Sequence, residues 1–159
     1  MGRHVRFQDV VKDWEFYTLE ADACYHRNEL KQAGKRFCQT VDLLEPWMEK
    51  DGKHITSLIR LFVLSCHNAG HVQNRLNRPK EAEYYYSHAH FRLLSLLADP
   101  SRGDKPQENL LFELGTTFRH LRQFLLGQNK SHLAANIREE SLRVIQHANL
   151  VAGMDVLEA

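Results

Sequence analysis

The chain has 159 residues, 43% of them hydrophobic and 26% charged, with a formal net charge of +1 at pH 7. That length suits one domain with a real core and is short for two. The near-neutral balance gives no electrostatic reason to expect nucleic acid or an anionic membrane as partner.

No apolar run approaches the ~18–20 residues of a membrane span, and the start, Met1-Gly2-Arg3-His4-Val5-Arg6, carries no signal-peptide core. A protein of the cytoplasm is therefore expected. Cys24, Cys38 and Cys66 are an odd, sparse set, which favours free thiols in a reducing compartment over a disulfide framework.

Residues 1–6 read as a loose tail. From Phe7 to about Arg27, Val10, Val11, Trp14, Tyr17, Ala21 and Cys24 recur at helical spacing, and Asn28 breaks the pattern. A second helix carries Leu30, Ala33, Phe37, Val41 and Leu44 on one face, with Pro46 and the Asp51-Gly52 pair marking the next connection. The third, through Leu58, Leu61, Phe62, Ser65, Ala69, Val72 and Leu76, forms the strongest local signal together with the fourth, through Ala82, Tyr86, Ala89, Leu93 and Leu97. Between them Asn77 suits an N-cap and Pro79 the first helical turn. Asp99 to Pro106 is the clearest loop. A fifth helix follows through Leu110, Leu111, Leu114, Phe118, Leu121 and Leu125. Gly127-Gln128-Asn129 ends it, and a sixth runs from about Ser131 through Leu133, Ala134, Ile137, Ser141, Leu142, Ile145 and Ala148. No segment alternates with period two for long enough to argue a strand. The expectation is an all-α chain of six helices in three antiparallel hairpins.

The hairpins repeat. Asn28, Asn77 and Asn129 each sit at the turn, and an alanine follows each at five residues: Ala33, Ala82, Ala134. Four residues beyond the alanines stand Phe37, Tyr86 and Arg138, and seven beyond them the small residues Thr40, Ala89 and Ser141. A period of roughly 50 residues is at the upper end for helical solenoids, in which each unit buries its apolar face on the next.

With Ala69-Gly70, Asn77, Ala82, Tyr86 and Ala89 in the central unit, and Trp14 or Tyr17, Ala21, Cys24-Tyr25, Asn28, Leu30, Ala33, Phe37 and Pro46 in the first, the chain resembles the tetratricopeptide (TPR) family, and among its members the small bacterial TPR-like proteins. The resemblance covers about residues 14–150. It implies a single domain whose three units, about 7–50, 53–98 and 106–153, stack as a short right-handed superhelix. Two features depart from the family. The units are longer than its ~34 residues, and the third has Leu121-Arg122 where a small residue is expected, as a capping unit would. The resemblance also implies that the first helix of each hairpin lines a groove for a peptide or partner segment. The groove positions would be Thr18, Asp22, Tyr25 and His26, then His67, Asn68, His71, Asn74 and Arg75, then Arg119, His120 and Gln123. Only Asn68 falls at a position of the carboxylate clamp with which some TPR domains hold chaperone tails, and Asp22 would repel a carboxylate, so that ligand is disfavoured.

Other chemistry is sparse. His67 and His71 share a helix face, as two zinc ligands would, but Asn68 follows the first histidine where a metalloprotease has its general base. Neighbouring Cys66 points about 100° away from His67. All three cysteines lie on apolar stripes, where cysteine is usually a small core residue. Nucleotide-binding glycine patterns, a Gly-x-Ser-x-Gly elbow and a CxxC pair are absent. The expected function is a non-enzymatic interaction module for a protein or peptide, without cofactor or metal and with a homodimer left open. The alternative is a small-ligand or metal sensor using His67 and His71.

Overall fold

The structure is a computed structural model that describes residues 5–50, 55–102, 107–148 and 155–158. Part of the expected tail (1–4), the Asp51-Gly52 connection, the Gly103 to Pro106 part of the loop and the 149–153 end of the third unit lie outside the described residues. The described chain forms six α-helices and no strand: α1 (Phe7–His26), α2 (Leu30–Met48), α3 (Ile55–Arg75), α4 (Pro79–Ala98), α5 (Gln107–Gly127) and α6 (Ser131–His147). None of these helices is long and apolar enough to cross a membrane. The chain divides into two compact units, Met1–Ala82 and Glu83–Ala159, with the boundary inside α4.

All three hairpin turns share one backbone solution. Asn28, Asn77 and Asn129 have φ of 61°, 56° and 59°. In each turn the asparagine amide donates three residues back: Asn28 to Tyr25, Asn77 to Asn74, Asn129 to Leu126. The following amide donates five residues back: Glu29 to Cys24, Arg78 to Gln73, Lys130 to Leu125. That pair of bonds is a Schellman ending, and the left-handed residue in it is glycine or asparagine because other side chains crowd the backbone there. The N-cap role expected of Asn77 is therefore incorrect. Asn77 closes α3, and Arg78 precedes Pro79, the first residue of α4.

In the first unit the apolar stripe of α2 (Ala33, Phe37, Val41, Leu44) packs between α1 and α3, and all four side chains are buried. Gly34 permits close approach, because a Cβ there would meet Val72 and the Gln73 amide at 3.3 Å. Contrary to expectation, α2 continues through Pro46 to Met48. The proline removes one helical bond close to the end, while fully buried Met48 and a Trp47 ring 5.6 Å from Phe7 hold the last turn in place. Cys66 is buried, which raises its thiol pKa well above the ordinary value. Cys24 and Cys38 are only half-buried, so the core role expected of all three cysteines holds for Cys66 alone. Arg27 donates to the Cys24 sulfur at 3.6 Å and Gln73 to that of Cys38 at 3.8 Å.

In the second unit the buried stripes are Tyr86, Ala89, Leu93 and Leu97 on α4, Leu110, Leu114, Phe118, Leu121 and Leu125 on α5, and Ala134, Ile137, Ser141 and Ile145 on α6. Leu133, expected on the α6 stripe, is exposed because it lies about 100° around the helix from Ala134. The expected loop after α4 contains a 3-10 turn, Pro100–Arg102, capped by the Asp99 carboxylate, which accepts from the Ser101 amide at 2.9 Å. Residues 155–157 form another short 3-10 turn docked on α5. Gly115 makes room for it, since a Cβ there would stand 2.8 Å from the Val156 carbonyl oxygen.

Candidate functional site

Within the first unit, side chains of α1 and α3 meet across the two first helices of consecutive hairpins. At one end the Trp14 indole donates to Ser65 Oγ at 2.8 Å, and Ser65 in turn donates to the Leu61 carbonyl. At the other end Tyr25 stands between His71 and Arg75. Arg75 Nη1 donates to the Tyr25 hydroxyl oxygen at 2.9 Å, and that hydroxyl lies 3.0 Å from His71 Nε2. Arg75 fills one acceptor site of that hydroxyl, and the contact to His71 uses either the phenolic proton or a proton on Nε2, according to the imidazole tautomer. The Arg75 guanidinium also sits 5.3 Å from the Tyr25 ring centre, and the His26 ring meets Tyr25 edge-on at 6.0 Å.

Four of the sequence-expected groove residues are thus brought together, with Tyr25 touching each of His26, His71 and Arg75. Asp22 and Asn74 are exposed nearby in the chain, and Thr18, His67 and Asn68 are half-buried. Beside this cluster, Glu29 pairs with Arg27 at 2.7 Å, and the guanidinium holds the Glu29 carboxyl below its ordinary pKa. Among the described residues no three histidine, cysteine or acidic side chains are arranged to hold a metal ion. His71 Nε2 faces Tyr25 rather than an open coordination position.

The remaining expected residues belong to the second unit. Arg119, His120 and Gln123 are exposed on α5, and His120 turns its Nδ1 back on the Thr116 carbonyl at 2.9 Å. Arg119 lines an open cleft of about 370 Å³ together with Phe118, Arg122, Arg138 and the docked segment Val156-Leu157-Glu158. Arg138 donates to the Glu158 carboxylate at 2.8 Å. The sequence reading left out Arg122 and Arg138, although both break the repeat: Ala21 and Gly70 occupy the position of Arg122, and Phe37 and Tyr86 that of Arg138.

His90 was also missed as a structural centre. It is fully buried, with Nδ1 3.1 Å from Thr117 Oγ1 and Nε2 2.8 Å from Ser141 Oγ. Burial lowers its pKa from 6.5 to about 4. Its place beside Ala89 on the small-residue stripe was the available signal.

No curated protein and no solved structure matches the chain. A family model described as a protein of unknown function (DUF2753) matches residues 12–156, and the chain belongs to that family.

Proposed function

We propose that this member of the DUF2753 family is a non-enzymatic interaction module, and that its partner segment lies along the α1–α3 face of the first unit. The observation that carries the reading is the Tyr25–His71–Arg75 bridge. Half-buried Tyr25 on one first helix is tied to exposed His71 and Arg75 on the next, although none of the three belongs to the buried core. Fixing Arg75 by a hydrogen bond and a ring contact lowers the entropy cost of using its remaining N–H groups on a ligand. Exposed Asn74, His26 and Asp22 supply donors and an acceptor of the kind that hold an extended backbone. The resemblance to TPR proteins supports the same face, since their first helices line the groove. Three free thiols suit a reducing cytoplasm as the place of action.

The test is affinity capture from native lysate with wild-type, Arg75→Ala, Tyr25→Phe and Lys35→Ala baits, compared by quantitative mass spectrometry. Lys35 lies exposed on α2, which contributes no side chain to the bridge. At least one protein should be lost from both bridge variants and kept by Lys35→Ala. Identical captured sets for all four baits would remove this face from consideration.

A further inference from the structure

The cleft on α5 and α6 carries chemistry that the α1–α3 face does not share, and it lies wholly within the second unit. Its three guanidiniums come from Arg119, Arg122 and Arg138, and its apolar floor from Phe118, Val156 and Leu157. Among the described residues one carboxylate, Glu158, lines it, and that carboxylate is engaged by Arg138. Among the described residues Arg119 and Arg122 meet no carboxylate. They stand three residues apart on α5, the spacing at which like charges face and repel one another on a helix. An anion between them would reverse that repulsion.

The repeat makes the arrangement more pointed. At three positions the third hairpin exchanges the residue type of the other two. Gly115 replaces Trp14 and Val63, Arg122 replaces Ala21 and Gly70, and Arg138 replaces Phe37 and Tyr86. The first exchange opens the surface of α5, and the Val156 backbone fills part of the opening. The other two put guanidiniums around what remains. The chain's own Asp155-Val156-Leu157-Glu158 shows what such a surface accepts: Leu157 is buried and Glu158 is bound by an arginine.

We propose that this cleft is a docking site for an acidic peptide segment of a protein partner, in which aliphatic residues alternate with carboxylates that pair with Arg119 and Arg122. A volume of about 370 Å³ is at the small end of ligand sites, so a few side chains are gripped rather than a domain. Guanidinium forks select carboxylates by paired hydrogen bonds, and the apolar floor selects their aliphatic neighbours. The proposal is independent of the α1–α3 reading, because its residues and its test lie in the other unit.

The experiment is fluorescence anisotropy on the full chain with a fluorescein-labelled synthetic peptide carrying the sequence Asp-Val-Leu-Glu twice, at low and matched ionic strength. Binding should saturate and should weaken roughly tenfold or more when the peptide carboxylates become amides. Arg119→Gln with Arg122→Gln should cause a similar loss while the circular dichroism melt stays unchanged, both side chains being exposed. Lys31→Gln with Lys35→Gln, which removes the same charge from α2, should leave binding as it was. No saturable binding to the folded wild type would overturn the proposal, as would an equal loss in the lysine pair. Displacement of the peptide by citrate no better than by sodium chloride of the same ionic strength is expected. Efficient displacement would assign the cleft to small carboxylates and overturn the peptide reading, and peptide-independent dimerisation lost in the arginine pair would assign it to a second copy.

Discussion

His90 Nε2 lies 2.8 Å from Ser141 Oγ, so a fully buried imidazole on α4 is tied to a fully buried hydroxyl on α6. Its other nitrogen faces Thr117 on α5. Both hydroxyls also reach a carbonyl of their own helix, Thr117 that of Leu114 at 2.9 Å and Ser141 that of Ile137 at 2.7 Å. Each hydroxyl has one proton and a neutral imidazole has one, so three protons serve four contacts. One hydroxyl must give up its carbonyl to donate to the ring. A second ring proton would complete the set, but burial opposes the charge and wins, holding the pKa near 4.

A pH-dependent stability follows. In the unfolded chain the imidazole binds a proton below about pH 6.5, whereas in the folded chain it stays neutral down to about pH 4. The unfolded state therefore binds more protons in that window, and stability rises with pH through it. The contribution is fully present above about pH 6.5 and is lost as pH falls towards 4, amounting to about 3 kcal/mol. Urea unfolding of wild type and His90→Leu at pH 7 and pH 4.5 checks this by difference, since other groups titrate alike in both. The leucine leaves Thr117 and Ser141 bonded to their own carbonyls, so the wild type's advantage should shrink at pH 4.5. A constant difference would contradict the neutral, buried imidazole.

Ala82 is fully buried, and its amide bonds the Arg78 carbonyl at the start of α4. Ala33 and Ala134 hold the equivalent places at their own turns, also buried. Overpacking such a site forces neighbouring side chains off their rotamers. Ala82→Phe should cost ~1–3 kcal/mol, seen as a lower urea midpoint at unchanged slope. An unchanged midpoint would mean that this stripe does not sit at a close approach.

The helices were legible because burial follows their period: Ala82, Tyr86, Ala89, Leu93 and Leu97 are all buried, as their spacing required. The turns were legible as places but not as conformations. Asparagine serves both as N-cap and as left-handed helix terminator, and sequence alone did not decide between them for Asn77. Of the candidate site, the α1–α3 residues came from a repeat in which first helices adjoin, and the Tyr25 bridge depends on that adjacency. The arginine cleft was not legible because it arises from departures from the repeat: Leu121-Arg122 read as the mark of a capping unit and Arg138 as a mismatch to Phe37 and Tyr86, neither as part of a site. His90 was overlooked for a related reason: a polar residue beside an apolar stripe looks solvated until its hydroxyl partners on two other helices are known.

The shared φ near +60° gives a test of the turns. A β-carbon in that region costs roughly 1–2 kcal/mol for most residues, less for asparagine and nothing for glycine. Asn77→Ala should therefore destabilise by about 1 kcal/mol, and Asn77→Gly should be neutral or slightly stabilising. Asn28 and Asn129 should behave in the same order. If alanine were tolerated as well as glycine at all three sites in thermal melts, the left-handed assignment would fail.

The Tyr25–Arg75 bond separates a binding role from a structural one. Both side chains belong to an exposed contact, and surface changes usually alter stability by less than ~0.5 kcal/mol. Tyr25→Phe and Arg75→Ala should accordingly leave the urea midpoint nearly unchanged. A partner held by the remaining Arg75 donors would lose ~1–3 kcal/mol of affinity in Arg75→Ala, the usual range for hydrogen bonds to charged groups. Tyr25→Phe should lose less, because it removes only the group that positions the guanidinium. The double variant should then lose less than the sum of the two, since Tyr25 has nothing to position once Arg75 is gone. Lys35→Ala should lose nothing. Strict additivity between Tyr25 and Arg75, measured by calorimetry with a captured partner, would show that the two act independently and that the bridge does not organise the binding face.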